Sequence, residues 1–163
     1  MYKRQDSDGS NLKCITTDLD QTPGAPFWSE NSSGVYFNVR EFGQSNVYYA
    51  NLSGQISKVS QGNHMLTMND LVGNNAVATW TNPSNPSDIV SFSVKKFNKI
   101  DRLTDVNNDI FYNVEFGKVE EINYESVDGK IVQGWVVKPP QFDSKKKYPL
   151  VLRIHGGPHS MYN

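Results

Sequence analysis

The sequence predicts a mainly β chain, in which part of a β-propeller is followed by the opening strands of a different domain. Three observations carry this. Strand-like segments recur with a fixed offset from the N-terminus to Thr104, and the recurrence then stops. Near the end of the 163 residues, an apolar strand runs into His155-Gly156-Gly157-Pro158.

The repeat is the strongest signal, because self-similarity at a fixed period decides the architecture. GSNLKCITTD, SGQISKVSQG and FNKIDRLTDV align without gaps, with Leu12, Ile56 and Ile100 spaced 44 residues apart. Ile15, Val59 and Leu103 keep that spacing, as do the hydroxyls of Thr16, Ser60 and Thr104. A turn signal precedes each segment (Asp8-Gly9, Ser53-Gly54 and Asn98), built from residues that tolerate positive φ. Upstream lie NVYYANL (46–52) and DIVSFSV (88–94), and before them GVYFNV (34–39) and NAVATW (75–80). Each unit therefore reads as an inner strand, a second strand, a hairpin turn and an outer strand, the size and strand content of a propeller blade. A β-sandwich also has short strands and regular turns, but nothing in it fixes a strand offset. On this reading residues 1–106 hold the outer strands of one blade (about 1–20) and roughly two more (about 21–106), short of a closed ring.

A connector follows, DVNNDIFYNVEFG, and 107–118 are assigned to it. From 119 the pattern changes. VEEINYES (119–126) alternates, Val127-Asp128-Gly129-Lys130 reads as a type I′ hairpin turn, and IVQGWVVK (131–138) is apolar on both faces. Pro139-Pro140 ends that strand, since proline cannot donate to a ladder. LVLRIH (150–155) reads as a third strand, so 119–163 are expected to open a second domain.

Composition narrows the partners. With 16 basic and 17 acidic residues and no basic stripe, nucleic acid is not an expected partner. Lys145-Lys146-Lys147 sits beside Asp143 and Pro149 and reads as a solvated loop. No run reaches membrane-spanning length and the N-terminus has no apolar signal region, so no membrane partner is expected and the compartment stays open. Cys14, the single cysteine, reads as a small apolar strand residue. The sequons at Asn31 and Asn51 arise easily in a chain with 17 asparagines. No His and carboxylate cluster has metal-ligand spacing, and neither metal nor cofactor is expected.

A strand ending in His155-Gly156-Gly157-Pro158 has a chemical reading. Paired glycines let backbone N–H groups approach a ligand closely, and donors held in that way stabilise a developing oxyanion. A plain tight turn is the bland alternative for the tetrapeptide alone. The wider stretch GWVVKPPQFDSKKKYPLVLRIHGGPHSMYN resembles the start of the catalytic domain in the prolyl oligopeptidase family of serine peptidases, especially its acylaminoacyl-peptidase-like and dipeptidyl-peptidase-like members. PGAPFWSENSSGVYF (23–37) and DRLTD (101–105) are similar to that family's blades.

The resemblance implies an α/β-hydrolase domain that cleaves short peptides with a Ser-Asp-His triad, behind a propeller that screens large substrates. It places the oxyanion loop at His155, Gly156, Gly157 and Pro158, with the Gly157 N–H as first choice of donor and Gly156 as second. Some relatives carry tyrosine at the position of His155. Whether His155 serves the oxyanion or orders the loop stays open. The chain departs from the family in holding no G-x-S-x-G: Gly43-Gln44-Ser45 begins one, but Val47 stands where the second glycine belongs. Ser160 sits on no strand-to-helix elbow, His64 reads as a polar loop residue, and His159 as a solvated one. The expectation is a fragment whose nucleophile, acid and base lie beyond residue 163, inactive by itself. Its orphaned strand at 150–155 would then pair non-natively, in its own chain or across a dimer, or lack order, with the glycine loop not preformed. The reading from a different class is a non-catalytic propeller that only binds, and the hairpin, strand and glycine loop at 119–158 argue against it.

Overall fold

The computed structural model describes residues 1–157, 161 and 162, so Pro158, His159, Ser160 and Asn163 lie outside it. The described chain divides into two compact units, Met1–Val106 and Asn107–Tyr162.

In the first unit, β1 (Lys3–Arg4) and β2 (Lys13–Cys14) form a small antiparallel pair. β3 (Phe27–Trp28), β4 (Gly34–Glu41), β5 (Gln44–Asn51) and β6 (Ile56–Lys58) then form an antiparallel meander. β7 (Met65–Val72), β8 (Asn75–Asn82), β9 (Asn85–Ser93) and β10 (Asp101–Arg102) repeat it. A parallel bridge, Ser45 to Met65, links the two meanders into one eight-stranded sheet.

Each meander thus has four strands where the sequence suggests three. The edge strand is β3 or β7, so GVYFNV and NAVATW are second strands rather than inner ones. β7 escapes a pattern search because its alternation, Leu66 and Met68 inward, breaks at an irregularity between Met68 and Asp70.

Alternation puts opposite faces of one strand into different cores. Val35, Phe37 and Val39 of β4 pack with Ile15 and Ala50, whereas Tyr36 joins Val47, Leu66, Met68, Ala76, Ala78, Val90 and Phe92. The 44-residue positions obey this layering. Ile15 and Val59 each face the following sheet, while Leu103 has none among the described residues and is 57 % exposed. Ile56 and Ile100 face the group of strands before their own, and Leu12, with none before it among the described residues, is 59 % exposed. Ile56 and Ile100 therefore hold the same side of their meanders, which a one-residue slip would have reversed.

The repeated hydroxyls have one job. Thr16 Oγ1 accepts the Tyr2 N–H at 2.7 Å, Ser60 Oγ the Val47 N–H at 2.7 Å, and Thr104 Oγ1 the Ile89 N–H at 2.9 Å. Next to each, Ile15, Val59 and Leu103 donate their N–H to the carbonyls of Tyr2, Val47 and Ile89 at 2.8–2.9 Å. Where the outer strand ends, a side-chain oxygen continues the ladder and keeps a backbone donor paired. Between the meanders, Asn38 does similar work. Its amide donates to the Leu66 carbonyl at 2.5 Å and accepts from Met68 N–H at 2.8 Å.

The second unit has one helical turn, α1 (Asn108–Phe111), which buries nothing. Its main element is the hairpin of β11 (Val119–Glu125) and β12 (Ile131–Val137), paired over seven residues from Val119–Val137 to Glu125–Ile131. The turn is not the expected I′. Ser126 N–H bonds the Lys130 carbonyl, Gly129 N–H returns to Ser126, and only Gly129 has positive φ (78°). That is a type I turn followed by one left-handed residue, the form that a longer loop selects. β12 is not covered on both faces either: in a two-stranded sheet Ile131 and Val137 stay 67 % and 70 % exposed.

Candidate oxyanion loop

The path to the loop begins at the hairpin. Lys138 N–H bonds the Lys118 carbonyl and extends the ladder by one step before Pro139 and Pro140 end it. Here Glu120 receives Lys138 at 2.5 Å and Lys118 at 2.9 Å, and these bonds, Lys138 first, hold its carboxyl below the usual range. The Lys138 ammonium also sits 5.0 Å over the Phe142 ring, which stacks on Tyr148 at 5.1 Å. A shallow cleft of about 330 Å³ lies among Glu115, Phe116, Lys118, Glu120, Lys138 and Phe142. Lys118 and Lys138 both pair with Glu120, whereas, among the described residues, the Glu115 carboxylate meets only the Gln141 amide, at 3.3 Å.

The segment expected as a third strand is not one. Residues 149–155 join no sheet, and Leu150, Val151, Leu152 and Ile154 are 76–90 % exposed. Strand geometry needs a partner for its N–H and C=O groups, and none of the described strands supplies one. The loop beyond it is open. Gly156 and Gly157 are exposed, and a Cβ placed on Gly156 would touch nothing within 4 Å. Gly157 takes φ 134°. His155 Nδ1 lies 3.2 Å from the Gly156 carbonyl oxygen, a contact with its own loop rather than with a hydroxyl nucleophile. Pro158 is outside the described residues, as are His159 and Ser160.

One local organiser is absent from the sequence reading. Tyr162 folds back so that its hydroxyl accepts Arg153 Nε–H at 2.9 Å and donates to the Ile154 carbonyl at 3.4 Å. The Arg153 guanidinium lies 4.6 Å from its ring centroid, and the His155 ring meets it edge-on at 6.2 Å. An arginine inside an otherwise apolar strand was the available signal. Of the remaining candidates, His64 belongs to the first unit, and Gly43-Gln44-Ser45 lies at the β4–β5 turn and the start of β5. Among the described residues no three His, Cys, Asp or Glu gather as metal ligands, and no helix is long and apolar enough to cross a membrane.

No family model matches the chain. It is 31% identical over 139 residues to a Bacillus subtilis protein named as the uncharacterized peptidase YuxL, covering 84% of this chain and 21% of that protein. It is 30% identical over 146 residues to dipeptidyl-peptidase 5 of Porphyromonas gingivalis, covering 82% of this chain and 19% of that one. The chain thus spans about a fifth of the length of these relatives. Among solved structures, an acylaminoacyl peptidase in complex with a Z-Gly-Gly-Phe-chloromethyl ketone superposes with a TM-score of 0.75 at 22% identity, covering 94% of this chain and 23% of that one. The acylaminoacyl peptidase of Pyrococcus horikoshii gives 0.73 at 23% identity, over 93% and 23% of the two chains. These structural likenesses speak for the fold, and the sequence matches run through both units. The chain is thus related through both units to proteins named as peptidases, and it has the fold of acylaminoacyl peptidases.

Proposed function

We propose that this chain supplies propeller blades and the opening of the α/β-hydrolase domain in a serine peptidase acting on short peptides. The two meanders are two blades, β1 and β2 are the outer strands of another, 107–118 connect, and the hydrolase part begins near residue 119. The relationship at 30–31% identity to proteins named as peptidases carries this reading.

In the reaction, a serine outside these 163 residues attacks the scissile carbonyl while a histidine takes and returns the proton and an aspartate holds that histidine. The part assigned to this chain is the oxyanion loop His155 to Pro158, with the Gly157 N–H as the main donor to the developing charge and Gly156 as the reserve. In this chain the loop that carries those donors is exposed. Pairing of residues 150–155 within a completed sheet is what aims them.

The test compares the 163-residue chain with one extended along its reading frame, using chromogenic dipeptidyl and acyl-aminoacyl substrates. The extended chain is expected to turn over and to be blocked by a serine-directed phosphonate, and the short chain to stay at background. In the extended chain, Gly157→Ala is expected to lower kcat on the order of 10²–10³-fold, the loss typical of one misplaced oxyanion donor. An extended chain that folds but binds peptides without cleaving them would replace this reading with a binding propeller.

A further inference from the structure

The junction between the two meanders contains a titratable group with no part in the proposed chemistry. His64 is the last residue of the connection that leaves β6, and Met65 after it begins β7. The His64 carbonyl accepts the Ser45 N–H at 2.9 Å, immediately beside the parallel bridge from Ser45 to Met65. The imidazole turns inward: its Nε2 is buried and has no hydrogen-bond partner. Its Cε1–Nδ1 edge lies against Gly62, where an added Cβ would come within 2.5 Å of Cε1 and 2.6 Å of Nδ1.

Among the described residues, Nε2 has no acceptor within hydrogen-bond reach. β6 brings the Lys58 ammonium, whose partner is Glu41 at 3.0 Å. Glu41, at the end of β4, is further engaged by the Tyr48 hydroxyl of β5. Arg40, opposite Ser45 in register, adds a second positive charge on β4. The Gln44 amide of β5 is bound to Asn63 Oδ1 at 2.8 Å, and β7 begins with Met65, Leu66 and Thr67, which carry no charge.

We infer that the seam between the two meanders is acid-sensitive, with His64 as its sensor. Whichever nitrogen holds the hydrogen of the neutral ring, the imidazolium carries an N–H at Nε2, and there it would face no acceptor. Relieving that buried charge moves the ring away from Gly62, and we take the chain at 62–64 to shift with it, loosening the Ser45 N–H bond to the His64 carbonyl. Burial, with the Lys58 charge second, holds the imidazole below its ordinary 6.5. The sign follows: as pH falls below the unfolded value, the unfolded chain takes a proton that the folded seam refuses, so stability drops until the folded value is passed.

The experiment follows the full 163-residue chain by NMR from about pH 8 to about pH 5, the range in which histidine changes charge. The His64 ring is expected to titrate below the same ring in the urea-unfolded chain. Hydrogen-exchange protection of the Ser45 amide is expected to fall severalfold over that range, and to stay level in His64→Gln and His64→Phe. If either variant fails to fold, the other and the wild-type ring titration still decide. A ring that titrates as in the unfolded chain, a Ser45 amide indifferent to pH, or variants as acid-sensitive as the wild type would overturn the inference.

Discussion

The two meanders have the same strand order and nearly the same registers, yet they fill their interiors with different residues. In the first, Val35 faces Ala50 and Phe37 faces Tyr48 across β4 and β5. At the equivalent sites of the second, Ala76 faces Phe92 and Ala78 faces Val90. The large ring moves from the second strand to the third, and the small residue moves the other way. The two sets are not equal in volume, since Tyr48 stands where the second meander has Val90, but a buried ring can be supplied by either strand. The electrostatics differ as well. The residue before the stapled amide is Asn46 in the first meander and Asp88 in the second. Asn46 Oδ1 accepts the Ser60 hydroxyl, and its amide reaches the Gly62 carbonyl at 3.3 Å. Asp88, 3 % exposed, takes Arg102, the Thr104 hydroxyl at 2.8 Å and the Val106 N–H at 3.2 Å. One backbone task is done once by a neutral amide and once by an ion pair.

The largest expected effect tests the packing half of this comparison. Phe37 is fully buried and meets Tyr2 edge-on at 5.4 Å and Tyr48 at 6.4 Å. Phe37→Ala should cost about 3–5 kcal/mol of the first unit's stability, as deletions of buried rings do. Pairing it with Ala50→Phe places the ring and the alanine as the second meander does, with Val35 and Tyr48 left as they are, and should recover part of that loss. If the double variant is worse than Phe37→Ala alone, the two interiors are not interchangeable and the ring cannot move between strands.

This trade explains what could be read from the sequence. The repeat was legible where a chemical type is needed at one position, at the hydroxyls of Thr16, Ser60 and Thr104 and the turn before each. It was not legible in β3 and β7, where Phe27-Trp28 is two residues long and the alternation of β7 breaks after Met68. The glycine loop was visible as His155-Gly156-Gly157, because glycine pairs are chemically distinctive. The failure of 150–155 to form a strand was a matter of partners, which a local pattern cannot contain. Tyr162 was missed because a tyrosine nine residues after Arg153 has no periodic relation to it.

Next in size is the electrostatic half. Asn46→Ala removes a neutral partner and should cost about 1–3 kcal/mol. Asp88→Ala strips three donors of their acceptor, leaves Arg102 over Trp80 without its main charge partner, and should cost more. The Arg102 bond first, then the Thr104 hydroxyl, holds the Asp88 carboxyl below its ordinary 3.8. A depressed carboxylate contributes its stability above 3.8, and that contribution is lost as pH falls from there through the folded value. Hydrogen exchange at Val106 should therefore open in acid before exchange at the Val47 amide, whose partner Ser60 is held by the neutral Asn46. Equal acid response at both sites would show that the charge adds nothing to the neutral version.

The smallest effect belongs to one of the staples, and the order among the three sharpens the comparison, because the bond is the same and only its exposure changes. Ser60 is fully buried and serves a fully buried Val47, so Ser60→Ala strands an N–H away from water and should cost about 1–3 kcal/mol. Thr104 serves Ile89, which is 38 % exposed, and water can take over the vacated N–H at little expense. Thr104→Ala should therefore cost less than about 1 kcal/mol, although it also removes one of the donors to Asp88. Thr16 is buried but its bond to Tyr2 is only partly so, and Thr16→Ala should fall between them. Urea midpoints of the first unit, measured for all three variants under one set of conditions, give the ranking. If Thr104→Ala proves as costly as Ser60→Ala, burial of the stapled amide does not set its worth. The repeated hydroxyl would then act mainly through its second bond, to Asp88 in one meander and Asn46 in the other.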